Sequence, residues 1–68
     1  MNPLKKARKE RDYGLRQLAK LIGIQPDLLS RIESDLRHTS LKVLCKLKRI
    51  YGNEPIIAYL DYIIKKGF

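Results

Sequence analysis

The sequence has one cysteine, Cys45, and one histidine, His38. A lone cysteine excludes a disulfide within the chain and suits a reducing compartment. A structural zinc site needs about four ligands, and Cys45 with His38 cannot supply them. His38 also has no paired nucleophile, so no catalytic constellation is expected, and with it neither enzyme activity nor a cofactor. No apolar run approaches the ~20 residues of a membrane span. The start, Met1-Asn2-Pro3-Leu4-Lys5-Lys6, lacks the apolar stretch of a signal peptide. The expectation is a cytoplasmic protein. Repeats, low-complexity runs and strand-like alternation are missing as well.

Acidic residues are few, 7 against 15 Lys and Arg, which gives a net charge of +8. That balance points to a polyanion, nucleic acid first and an anionic membrane surface second. A chain of 68 residues is read as a single domain, residues 1–68, with a marginal core. Without disulfide or metal, its stability must come from regular helix packing and a partner subunit.

Proline, glycine and capping residues divide the chain into five short helices. Asn2-Pro3 reads as an N-cap followed by proline at the first helical position. That helix is expected to reach Asp12, with Leu4, Ala7 and Arg11 on one face and Tyr13-Gly14 breaking it. The second is expected over Leu15 to Ile22, with Leu15, Leu18, Ala19 and Ile22 inward and Gly23 as its left-handed end. Gln25-Pro26 opens the third, which buries Leu28 or Leu29 together with Ile32. After a polar connection from Ser34, Thr39 or Ser40 caps a fourth helix, Leu41 to Tyr51, with Leu41, Leu44, Cys45 and Tyr51 facing in. Asn53-Glu54-Pro55 opens the last, about 54–66, whose final turn carries Lys65 and Lys66. The fold class is a compact all-α five-helix bundle.

The informative segment is Leu15 to Ser34, "LRQLAKLIGIQPDLLSRIES". Two short helices meet through Gly23, and the small Ala19 lets them cross closely at a steep angle. Leu18, Ile22, Ile24, Leu29 and Ile32 are apolar where such a pair must bury. This is a helix-turn-helix pattern, about 15–34, in which the second helix enters the major groove of DNA.

With Leu4 and Arg8 in the first helix, "QLAKLIGI", "LLSRIE" and "SLKVLCKL" in order, residues 4 to 52 resemble the Xre/Cro-like helix-turn-helix family of phage repressors and small bacterial regulators. The resemblance implies a lambda-repressor-like fold. It also implies a sequence-specific DNA-binding regulator, a small repressor of phage, plasmid or mobile-element type. By position it pairs Arg8 with Glu33, locking the first helix to the third with a guanidinium held near bound DNA. It assigns base reading to Gln25, Pro26, Asp27, Ser30 and Arg31. Arg31 can bind guanine with two hydrogen bonds, Gln25 can read adenine or hold a phosphate, and Pro26 can touch a thymine methyl. Asp27 has three readings: a helix starter, an acceptor from cytosine N4, or a mark of a protein-binding surface.

Arg16, Lys20, Arg37, His38 and Lys42 flank this helix as candidate phosphate contacts. The chain departs from the family in three places. Gly14-Leu15 stands where Thr-Gln or Ser-Gln often opens the second helix, Asp35 where glycine often follows the third, and Thr39 where proline is frequent.

The last helix, "EPIIAYLDYIIKKGF", is more apolar than a small core requires. Ile56, Leu60 and Ile63 or Ile64 make one stripe, with Ile57, Tyr59, Tyr62 and Phe68 beside it. Such a surface either covers the first and fourth helices or, the favoured reading, forms a homodimer interface drawn from Ile56, Ile57, Tyr59, Leu60, Tyr62, Ile63 and Phe68. A dimer would set two recognition helices on a near-palindromic duplex. The alternative function is an interaction module, an antirepressor or adaptor that binds another regulatory protein.

Overall fold

The computed structural model describes residues 1–66, so Phe68 lies outside the described residues. Five helices run in order: α1 Pro3–Glu10, α2 Leu15–Ile22, α3 Pro26–Glu33, α4 Leu41–Tyr51 and α5 Asn53–Lys66. There is no strand among the described residues. None of these helices is long and apolar enough to cross a membrane.

Each start follows local chemistry. Asn2 Oδ1 accepts from the Leu4 N–H at 2.8 Å, satisfying an amide that the first turn leaves open. Asn2 is itself buried, and its Nδ2 donates to the Ile32 carbonyl and to Asp35 Oδ1, both at 3.0 Å. The cap is thus also a tie from α1 to the end of α3. Of the two candidate caps for α4, Ser40 is the one: its Oγ accepts from the Val43 N–H at 3.2 Å. Thr39 instead donates its N–H to the Tyr59 hydroxyl, at 3.4 Å.

The first helix ends earlier than expected. Asp12 takes a positive φ of 58°, and α1 closes at Glu10 rather than at the Tyr13-Gly14 break. Aspartate tolerates the left-handed region better than most residues, so it can turn the chain where glycine was anticipated. Arg11 therefore lies past the helix instead of on its inner face. Its guanidinium donates to the Ala7 and Tyr51 carbonyls, at 3.1 and 2.9 Å, and lies 5.2 Å from the centre of the Tyr51 ring.

The core takes Leu4 and Ala7 from α1, Leu18, Ala19 and Ile22 from α2, Leu29 and Ile32 from α3. From α4 it takes Val43, Leu47 and Tyr51, with Leu44 packed partly against it; of the expected inward residues, Leu41 and Cys45 do not join. Leu41 is 76% exposed and Cys45 is exposed. Two apolar stripes overlap on this helix. The one through Val43 continues at four-residue steps to Leu47 and Tyr51, whereas the one through Leu41 and Cys45 runs into Arg49. The stripe that stays apolar over the whole length is the one buried.

The face of α5 is rotated in the same way. Ile56 and Tyr59 are buried, with Tyr62 and Ile63 partly so, while Ile57, Leu60 and Ile64 are 58%, 41% and 74% exposed. The expected stripe through Leu60 is not the inward one. Ile56 and Tyr59 belong to this chain's own core and offer no surface to a second copy. Tyr59, expected beside the stripe, is buried in the core, and its hydroxyl accepts from the Thr39 N–H.

Asp35 gathers the two ends of the described chain. Its φ of 63° turns the backbone after α3. Its carboxylate accepts from Asn2, from the Tyr62 hydroxyl, and from Lys66 Nζ at 3.3 Å. Burial pushes the Asp35 pKa up, but the hydrogen bonds from Tyr62, Asn2 and Lys66 outweigh it and hold the group below its ordinary range.

Two expectations follow. Leu47→Ala should cost about 2–5 kcal/mol in chemical denaturation, and Leu41→Ala less than about 0.5 kcal/mol. Because the Asp35 pKa is depressed on folding, its contribution is present above the unfolded carboxylate pKa and lost as pH falls through the folded one. The melting temperature should drop as pH falls below the ordinary carboxylate range, and Asp35→Asn should flatten that drop.

Candidate nucleic-acid interface

The geometry of α2 and α3 rests on the three residues between them. Gly23 closes α2 with φ 72°, and the Ile24 N–H returns to the Ala19 carbonyl at 2.9 Å. A side chain at Gly23 would hold this left-handed turn only under strain. Ala19 is fully buried at the crossing. Gln25 then caps α3 through its extended backbone, Pro26 occupies the first helical position and Asp27 stands in the first turn. Lys46 Nζ sits beside this junction, 3.8 Å from where a Cβ on Gly23 would stand, at the carbonyl end of α2 that favours positive charge.

With Leu29 and Ile32 directed inward, α3 turns Gln25, Asp27 and Arg31 to the outside, where all three are exposed. Pro26, Leu28 and Ser30 are half-buried at its sides. A shallow depression is lined by Gln25, Asp27, Leu28, Arg31 and Arg37. Three of the expected base readers and one expected phosphate contact thus meet on one surface. Pro26 and Ser30 do not line it. Asp27 and Arg31 form an ion pair one turn apart, Oδ2 to Nη2 at 3.2 Å, which none of the three sequence readings of Asp27 contained.

The remaining expected phosphate contacts are exposed but dispersed. Arg16 is exposed in the first turn of α2, and His38 is exposed in the connection before α4. Lys20 lies with Leu21, Gly23, Lys46 and Arg49 in a depression between α2 and α4. Lys42 lines a neighbouring one with Leu41, Cys45, Lys46 and Arg49. Lys46 and Arg49 follow Lys42 by four and seven residues, which puts all three on one helical face.

Behind the surface lies the expected pair of Arg8 and Glu33. Arg8 Nε and Nη2 donate to the two carboxylate oxygens, at 2.9 and 3.0 Å, and Nη1 donates to the Tyr13 carbonyl at 2.8 Å. The side chains are only 10% and 3% exposed. The hydrogen bonds to Glu33 outweigh the cost of burial, so the Arg8 pKa is raised and its charge secured. The fork clamps α1 to the end of α3. It spends its nitrogens inside the protein, which leaves little of the guanidinium to face a duplex.

Among the described residues no cluster of His, Cys, Asp or Glu could hold a metal ion. A helix-turn-helix family model matches residues 4–56. The chain belongs to that family, the Xre/Cro-like helix-turn-helix proteins, a family of DNA-binding transcription regulators. No curated protein and no solved structure matches it.

Removing one partner of the buried pair should leave the other charge uncompensated. Glu33→Ala is expected to cost about 3–5 kcal/mol of unfolding free energy, measured by urea titration. Paired replacement of Arg8 and Glu33 by apolar residues of similar volume should cost much less.

Proposed function

We propose that this protein is a small transcriptional repressor that occupies a near-palindromic operator as a homodimer in the cytoplasm, of the kind found on phages, plasmids and mobile elements. One observation carries the reading: Gln25, Asp27 and Arg31 share the exposed face of a helix whose opposite face is fixed in the core. Base edges are read from that face. Arg16, Arg37, His38 and Lys42 anchor the backbone phosphates, which set register without reading sequence. Lys20, with Lys46 and Arg49, extends the positive field rather than touching the same groove.

The exposed Ile57, Leu60 and Ile64 on α5 support the dimer, because they stand three and four residues apart on one face. Ile63 and Tyr62 border this face. The interface is thus narrower than the seven residues expected from sequence. Two copies joined there bring their recognition helices to half-sites about 34 Å apart. A second reading, an adaptor that binds another regulator, draws on the acid in the reading surface and on Leu15 at the start of α2.

Selection of bound duplexes from a random pool at two salt concentrations tests both. A repressor enriches a palindrome, and its affinity falls by orders of magnitude as salt rises. Arg31→Ala should relax preference at one base pair per half-site, and Lys42→Ala should weaken all duplexes alike and reduce the salt slope by about one. Binding that ignores both salt and Arg31 favours the adaptor. Sedimentation across a concentration series, with Leu60→Lys as the disrupting variant, checks the dimer.

A further inference from the structure

The Asp27–Arg31 pair is exposed on both sides, 77% and 58%. Pairs this open add little to stability, so folding does not account for placing an acid on a surface that must approach phosphates. Geometry gives a different reason. A carboxylate four residues before an arginine is the favourable order on a helix. Here Asp27 Oδ2 stands 3.2 Å from Arg31 Nη2. A guanidinium has five N–H donors in a planar fork, so donors remain for a second planar acceptor. Guanine presents O6 and N7 as such an acceptor in the major groove.

We propose that Asp27 is the positioning residue for Arg31: it holds the guanidinium across the outward face of α3, so that two residues together specify one guanine. The assignment rests on the DNA-binding reading above and adds to it the device that makes the reading selective. An arginine free to swing can neutralise any nearby phosphate. One tethered from the preceding turn gives up part of that general attraction and keeps its fork aimed at a base edge. Asp27 also repels phosphate itself, so the pair trades affinity for discrimination. Gln25 and Arg37 border the same depression.

The test measures binding of the wild type, Asp27→Ala, Arg31→Ala and the double variant. Each is titrated against the selected duplex, its single-base variants and an unrelated duplex, with a thermal melt to confirm folding. Asp27→Ala should lose roughly tenfold in discrimination at the same base pair that Arg31→Ala relaxes. The double variant should be no worse there than Arg31→Ala alone. Binding of Asp27→Ala to the unrelated duplex should rise. Asp27→Asn, which keeps an acceptor without the charge, should fall between wild type and Asp27→Ala.

Loss at a different base pair, additive with Arg31, would overturn the proposal in favour of direct reading by Asp27. Equal weakening on every duplex with a lower melting temperature would overturn it in favour of a helix-starting role. A wild type that prefers no duplex would instead remove the DNA-binding reading beneath it.

Discussion

The fold depends on a buried charge. Arg8 and Glu33 sit in a small bundle with little apolar volume, and each would be costly alone. Together they connect the first helix to the last turn of the third, and Arg8 reaches on to the carbonyl of Tyr13. That bond fixes the segment leading into α2, so α1, α2 and α3 are oriented from one point. An apolar pair could fill the same space, but it would lack the directional fork that sets the angle between the helices. The outward face of α3 is defined by what holds its inward face: Leu29 and Ile32 by packing, Glu33 by charge.

Much of this was legible from the chain. Gly23 after an amphipathic octet, proline at the start of α1 and of α3, and serine before α4 are local signals whose meaning depends on few distant partners. The helices they bound were accordingly found almost where expected. The Arg8–Glu33 pair was accessible only through family resemblance, because nothing local says that residues so far apart in sequence must meet. The faces of α4 and α5 were the weak point. Both carry apolar residues over more than half their circumference, so several inward faces fit the sequence. Following each stripe to the helix end would have chosen Val43, Leu47 and Tyr51, since the competing stripe reaches Arg49. For α5, the burial of Tyr59 depended on the connection before α4, which supplies the hydrogen bond its hydroxyl needs.

The candidate interface divides along the same line. That Asp27 and Arg31 would share a face follows from helical spacing, and the structure adds Gln25, the cap before α3, to the same depression. That Asp27 and Arg31 would join was equally within reach of the spacing, but each had been considered as a separate contact with DNA. Lys20 shows the other side of this. Expected beside the recognition helix, it lines a depression together with Lys46 and Arg49 of α4. Sequence distance is a poor guide to shared surface wherever the chain reverses through a tight turn.

The meeting of Asn2, Tyr62 and Lys66 on Asp35 has a consequence for how the molecule comes apart. Chain ends ordinarily fray, opening at almost no cost and independently of each other. Here both ends of the described chain are secured to the same carboxylate, on a turn that itself follows the helix carrying Gln25, Asp27 and Arg31. Asp35 therefore couples the start of α1, the last turns of α5 and the turn after α3 through one side chain, so loosening any one of them leaves this carboxylate with fewer of its partners.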